Sequence, residues 1–373
     1  MNKENEEVIS GLSKQGYRLI KNYKFDQAIE VFNQILYVDP ENNYALVGIG
    51  DAYRKKKEYA NAVPFYKQCL ESHPGNNYAL FGLAECYHNT GQSGLTLEIW
   101  KEYLEHDPDN INVITRLADT YRKINNFEES EKHFNKVLKI EPENPYALTG
   151  LGHLYFDFKK YSDSLVMWKK LESINRINTD IRVITSIGNC YRKLKDFENG
   201  IKYFNKALEM DKQNFYALYG MADCFRGLGR HEDSLKYWNK ILENDSGNKV
   251  ILTRAGDAYR VMKDYQAAEE HYTKAINIGF DIYAEIGLVM IKKSLGQYQE
   301  AIEKLNSLLE KDESNYRIYF ELSECHALSG NIQEALNVLN SYIRKYSPNE
   351  KINSAILKYR QQADRKKTIQ EQP

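Results

Sequence analysis

Residues 43–76 read NYALVGIGDAYRKKKEYANAVPFYKQCLESHPGN. With Asn43 as position 1, Leu46, Ile49, Gly50 and Tyr53 fall at 4, 7, 8 and 11, Tyr59, Ala62 and Tyr66 at 17, 20 and 24, and Pro74 at 32. Spacings of three and four residues place each set on one face of a helix. A polar turn separates the two sets and His-Pro-Gly closes the second, so the stretch predicts a helical hairpin.

The same marks return along the chain. Position 1 falls at Ile9, Asn43, Asn77, Ile111, Pro145, Ile181, Phe215, Lys249, Ile282 and Tyr316, with steps of 34, 34, 34, 34, 36, 34, 34, 33 and 34. This register, with a large apolar residue at 4, small residues at 8 and 20, aromatics at 11, 17 and 24 and proline at 32, resembles the tetratricopeptide repeat family over residues 9–348. The resemblance implies an all-α, right-handed α-solenoid of about ten helix-turn-helix repeats in which each hairpin packs on its neighbours.

Composition agrees with a stacked array. The 373 residues are 42% hydrophobic and 28% charged with a formal net charge of −1, which gives no overall pull toward nucleic acid or anionic membranes. No stretch nears eighteen consecutive apolar residues, and MNKENEEVISGLSKQG lacks a signal-peptide core, so no membrane insertion and a cytoplasmic location are expected. Cys86, Cys190, Cys224 and Cys325 all sit at position 10 and Cys69 at position 27, places where small or aliphatic residues recur. They read as small buried hydrophobes, and no metal or cofactor is expected.

Taken in order, residues 1–8 are polar and expected to fray, and repeat 1 has a weakened outer face at Gln15. Repeats 1 to 4 close on Pro40, Pro74, Pro108 and Pro142, whereas later repeats carry Lys212, Ser246, Phe280 and Glu313, so their turns are expected to be less tightly set. Pro64 falls inside the second helix of repeat 2 and is expected to bend it. The extra residues between repeats 5 and 6 mark a seam near 173–180. Residues 349–362, with Ile352, Ile356 and Tyr359 at helical spacing, read as a capping helix, and 363–373 as a disordered tail.

A second period lies inside the first. Repeats 2, 4, 6 and 8 share GDAYRK-like segments beginning at Gly50, Ala118, Gly188 and Gly256, while repeats 3, 5 and 7 share YAL-x-G and hold Trp100, Trp168 and Trp238 at position 24. The effective unit is a pair of hairpins. The tryptophans lie on the stripe that faces the core and read as packing.

Positions 2, 5, 9 and 12 form another face of the first helix, which the resemblance implies lines a concave binding groove. Position 2 holds Tyr44, Tyr78, Tyr146, Tyr216 and Tyr283; position 9 holds Asp51, Asp119, Asn189, Asp223 and Asp257; position 12 holds Arg54, Arg122, Arg192, Arg226 and Arg260. As surface ion pairs three residues apart, these acids and arginines would contribute only about 0.2–0.5 kcal/mol each. Arginine forks and tyrosine rings are, by contrast, the groups that anchor interfaces. Position 5 never carries lysine and position 6 no asparagine ladder, so the peptide clamp of some chaperone-binding members and the ladder of some sugar-transferase arrays are not inherited.

Enzyme signals fail on inspection. Gly48-Ile-Gly50 and Gly150-Leu-Gly152 occupy positions 6 and 8 of a helix with no preceding strand, and the eight histidines are scattered. The expected function is a non-catalytic scaffold that binds a protein partner, as peptide or helix, in the groove. By analogy with arrays in AT-rich bacterial genomes, that partner belongs to an envelope, secretion or motility assembly. The alternatives are a helical-repeat RNA binder, disfavoured by near-neutral charge and an acid beside almost every arginine, and a docking subunit for a separate enzyme.

Overall fold

The computed structural model describes residues 3–174, 180–347 and 349–370; the seam expected near 173–180 falls largely on residues 175–179, which lie outside these. The chain divides into two compact units, Met1–Val183 and Ile184–Pro373. Twenty-one helices and no strand occur among the described residues. In the first unit the hairpins are α1 (Lys3–Lys21) with α2 (Phe25–Val38), α3 (Asn43–Lys55) with α4 (Tyr59–Ser72), α5 (Asn77–Asn89) with α6 (Ser93–His106), α7 (Ile111–Lys123) with α8 (Phe127–Ile140), and α9 (Pro145–Asp157) with α10 (Tyr161–Ile174). The sixth hairpin, α11 (Ile181–Lys193) with α12 (Phe197–Met210), begins just before the division. The second unit continues with α13 (Phe215–Gly227) and α14 (His231–Asn244), α15 (Lys249–Val261) and α16 (Tyr265–Ile278), α17 (Ile282–Ser294) and α18 (Tyr298–Leu309), α19 (Tyr316–Leu328) and α20 (Ile332–Lys345), and α21 (Glu350–Gln370).

Seven of the first, or A, helices, α3, α5, α7, α9, α13, α15 and α19, start under an asparagine at position 34 of the preceding repeat, and α17 starts under Asp281 in the same role. Asn42 accepts from the Ala45 amide at 3.1 Å, and Asn214 accepts from the Ala217 amide at 3.1 Å. That bond satisfies an amide the helix leaves unpaired and is worth about 1 kcal/mol per cap. Of the later turns, expected to be looser without proline, those before α13 and α15 close in the same way: Asn214 donates its amide to Asp211 O and Asn248 to Asp245 O, each at 3.1 Å, as Asn42 does to Asp39 O at 3.1 Å. The cap sets these turns, and proline adds only stiffness. Within every hairpin the chain reverses through one residue at position 15 with φ between 60° and 93°, supplied by Gly91, Gly229, Gly296 and Gly330 in four repeats and by larger residues, four of them lysine, in the other six. The lysines hold that conformation because the flanking helices dictate it.

The core is built around the ring at position 24. Phe32 lies between Gly16 of its own A helix and Gly48 of the next, Tyr66 between Gly50 and Gly82, Phe204 between Gly188 and Gly220, and Tyr272 between Gly256 and Gly287. A Cβ on any of these glycines would stand within 3.0 Å of the ring. The glycine of YAL-x-G therefore exists to receive the ring of the preceding repeat, which explains why the pattern repeats over two hairpins. The tryptophans are buried as expected: Trp100 and Trp238 are 0% exposed and Trp168 3%. All five cysteines are buried, and burial pushes the Cys86 and Cys224 thiols up to about 12.

At the C-terminus α21 behaves as an A helix without its partner. Ile352, Ala355, Ile356 and Tyr359 are buried against Tyr319, Leu336, Leu339 and Tyr342 of the last hairpin, while Leu357, which would face a helix of its own repeat, is exposed. The helix begins at Glu350 and runs on to Gln370, past residue 362 where a disordered tail was expected, and α1 is already helical at Lys3, inside the segment expected to fray. Pro64 sits within α4. No described helix is long and apolar enough to cross a membrane.

Two alanine substitutions separate the roles of the glycines. Gly82→Ala would place a Cβ 2.2 Å from the fully buried Tyr66 ring and is expected to lower stability by at least about 1–3 kcal/mol. Gly94→Ala, in α6 with nothing within 4 Å of the new methyl, is expected to raise it by about 0.5–1 kcal/mol. Urea unfolding followed by circular dichroism checks both; equal shifts of the two midpoints would refute the clamp.

Candidate functional site

The face formed by positions 2, 5, 9 and 12 divides into two kinds of residue. At position 2 Tyr44, Tyr78, Tyr146, Tyr216 and Tyr283 are 57–79% exposed. Their place is fixed by the capped start of each A helix, and they project from the first turn where no neighbouring helix covers them. An exposed tyrosine repeated at one register position gains little from its own burial and is available to another molecule.

The acids and arginines are bound into the scaffold far more tightly than isolated surface pairs. In repeat 2 the Tyr66 hydroxyl donates to Asp51 Oδ1 at 2.8 Å, Arg54 Nη2 reaches the same oxygen at 2.7 Å, and Arg54 Nε donates to the Tyr66 hydroxyl at 3.2 Å. Repeat 8 repeats the triad, with Tyr272 donating to Asp257 at 2.8 Å and Arg260 Nε to Tyr272 at 3.3 Å. Burial and the Asp51 charge push the Tyr66 phenol well above its usual range, with Arg54 opposing them, so the hydroxyl stays a donor.

Where position 24 is phenylalanine, the arginine turns to the next repeat. Arg122 holds Asp119 through Nε at 3.1 Å and Nη2 at 3.0 Å, and extends Nη1 to Asp157 at 2.6 Å. Arg192 holds Asn189 in the same way and extends Nη1 to Asp223 at 2.6 Å, where Arg226 also binds through Nε at 3.0 Å. Lys293 at position 12 of repeat 9 repeats the gesture toward Glu321 and Glu324. The side chains of Arg54, Arg122, Arg192 and Arg260 are only 15–22% exposed, and Arg226 alone reaches 41%. Arg122, Arg192 and Lys293 therefore staple successive repeats together, a role that spacing along one helix does not reveal, while Arg54, Arg226 and Arg260 bind within their own repeats.

The structure brings three of the expected residues into one cavity. Tyr44, Asp51 and Tyr78 line a space of about 650 Å³ between the A helices of repeats 1 to 3, with Val47, Asn77 and Tyr17 completing much of its wall. Tyr17 occupies position 9 of repeat 1, where six of the later repeats carry acids, and its hydroxyl donates to Tyr44 O at 3.1 Å. It was visible in the register as the one aromatic at that position. Tyr146 is not among the lining residues of that cavity. Asn189, Asp223, Arg192 and Arg226 form the second unit's cluster, in which Arg192 also lies 6.0 Å from the Tyr219 ring. Arg116, which the stripe did not single out, pairs with Glu85 at 2.7 Å and lies 5.5 Å from the Phe81 ring.

A chain of capped helical hairpins at a 34-residue period, with a buried ring at position 24 of the first eight repeats and a leucine there in the last two, defines an α-helical repeat protein. Tetratricopeptide repeat family models match residues 13–77, 111–144, 181–214, 216–247, 251–278 and 294–356, and the chain belongs to the tetratricopeptide repeat family. No curated protein matches it. Among solved structures it is similar to Pseudomonas aeruginosa pilF (13% identity, 59% of this chain and 100% of the other, TM-score 0.50). It is also similar to a tetratricopeptide repeat protein of Parabacteroides merdae (15%, 76% and 98%, 0.41) and to the MamA protein (24%, 47% and 94%, 0.43). Among the described residues no group of three or more histidines, cysteines and acids could hold a metal.

The Arg192–Asp223–Arg226 cluster carries a pH dependence. Burial opposes ionisation of Asp223, but Arg226 and Arg192 outweigh it and hold the carboxyl below its ordinary value. The unfolded chain therefore binds the proton first as pH falls: the stabilisation is complete above about pH 4 and is lost as pH drops through the lower folded-state value. Asp223→Asn is expected to cost about 1.5–3 kcal/mol at neutral pH. In chemical unfolding the deficit should shrink steadily below about pH 4, and a deficit independent of pH would contradict the assignment.

Proposed function

We propose that this protein is a non-catalytic scaffold that holds an extended segment of a partner protein along its A-helix face. The position-2 tyrosines would supply the recognition, and the acid and arginine pairs would keep the face rigid. The observation that supports this most is the contrast between two sets of tyrosines: those at position 24 are buried with bonded hydroxyls, whereas five at position 2 stand exposed at one repeated place. Rigid amphipathic rings on a preorganised surface lose little entropy on binding, which is why tyrosine is enriched at interface hot spots. Asp51, Asp119, Asn189 and Asp257, with Arg54, Arg226 and Arg260, would contribute mainly by bracing their own hairpins, and Arg122 and Arg192, the latter on Asp223, by tying successive A helices together. A cytoplasmic setting and a bacterial assembly remain part of this reading by analogy alone.

The test replaces Tyr44, Tyr78 and Tyr146 together by alanine and measures partner recovery by affinity purification from the source cell. Recovery is expected to fall by about tenfold or more while helicity and the unfolding midpoint stay unchanged. Undiminished recovery would sink the proposal. Charge reversal at Arg122 or Arg192 is the poorer probe, because it breaks cross-repeat bonds and is expected to lower stability directly.

A further inference from the structure

We propose that the cavity between the A helices of repeats 1 to 3 receives a basic side chain, lysine or arginine, of the partner's extended segment. This rests on the scaffold reading above and adds the chemistry of one subsite. The cavity, about 650 Å³, is larger than one side chain and open enough to admit a length of main chain with it.

Its wall points to a cation. Asp51 is the only charged residue that lines it, alongside the rings of Tyr17, Tyr44 and Tyr78. Asp51 already bonds Arg54 and Tyr66, but both contacts fall on Oδ1 and neither uses Oδ2. Asn77, also in the wall, has a buried side-chain oxygen without a hydrogen-bond partner. Carboxylate and amide oxygens accept from an ammonium or guanidinium, and three aromatic faces attract it through their quadrupoles.

Two opposing charges are close by. Arg54 neutralises part of Asp51, and the N-termini of α3 and α5 carry partial positive charge. The first amides of both helices are, however, capped by Asn42 and Asn76. The negative potential of Asp51 still reaches across the cavity, since after burial it is the largest influence raising the Tyr17 phenol, with Tyr44 and Tyr78 adding to it. The register gives a further reason for this location. Repeats 2 and 3 are the only neighbours that both carry tyrosine at position 2, and repeat 1 is the only one with tyrosine at position 9. The rings converge here because the two-repeat alternation is broken.

The experiment titrates the full chain into two fluorescein-labelled peptides, Gly-Ser-Arg-Arg-Ser-Gly and Gly-Ser-Glu-Glu-Ser-Gly, at low ionic strength and reads anisotropy. The arginine peptide is expected to bind saturably and the glutamate peptide at least about tenfold more weakly. Asp51→Asn should weaken arginine-peptide binding about tenfold and Tyr78→Ala about threefold. Tyr37→Ala, at an exposed ring on α2 outside the cavity wall, should leave it unchanged. Tyr78 is 79% exposed, so its variant keeps the fold even where Asp51→Asn loosens repeat 2. Stronger binding of the glutamate peptide, no saturable binding of either, or equal effects of Tyr78→Ala and Tyr37→Ala overturns the subsite. If any of these occurs while partner recovery still depends on the tyrosines, the subsite fails and the scaffold reading stands.

Discussion

The contact on which the stack depends is the one between the ring at position 24 and the two A helices it separates. A ring such as Phe32 or Tyr66 can lie flat against both backbones only where the facing residues lack a Cβ, and Gly16 with Gly48, and Gly50 with Gly82, provide that. Because one glycine belongs to the ring's own repeat and the other to the next, the contact is at once hairpin packing and the bond between hairpins. A lone repeat would leave half of the ring uncovered, which is why the unit has no stability of its own.

The same ring carries the influence of the core out to the surface. Tyr66 and Tyr272 differ from Phe134 and Phe204 by one oxygen, and that oxygen decides where the arginine at position 12 goes. With a hydroxyl beneath it, the guanidinium is held within its own repeat. Without one, it reaches the next repeat and staples Asp157 or Asp223. Half-buried forks of this kind are worth more than exposed pairs, since each bond is made by a group already drawn partly out of water. Much of the charge on the A-helix face is thus part of the frame.

The fold was legible because its determinants are local and repeated. The two apolar stripes are visible in Asn43–Asn76 alone, the 34-residue period in the register from Ile9 to Tyr316, and the two-hairpin alternation in YAL-x-G against GDAYRK. The exposed tyrosines at position 2 were legible for the same reason. The arginines were not, since whether Arg122 meets Asp119 alone or Asp157 as well depends on how one helix is set against the next, which spacing along a single helix does not encode. The turns after repeats 6 and 7 depart from the expectation set by their missing proline because the asparagine cap makes a bond where proline only restricts φ. Tyr17 does not follow from the stripe, since it departs from the acids that most other repeats carry at its position.

That departure bears on how a periodic protein acquires selectivity. Ten repeats at one register offer a ligand the same contacts again and again, so a perfectly regular face would bind many registers of a partner about equally. Selectivity needs a place where the sequence of contacts is unique. Three tyrosines and one carboxylate meet between repeats 1 and 3 because Tyr17 replaces an acid and Tyr44 is followed by Tyr78 in the adjoining hairpin. The rigid frame of ring, glycine and arginine makes such an irregularity effective, for it keeps the odd residues at fixed separations while the repeats around them stay alike.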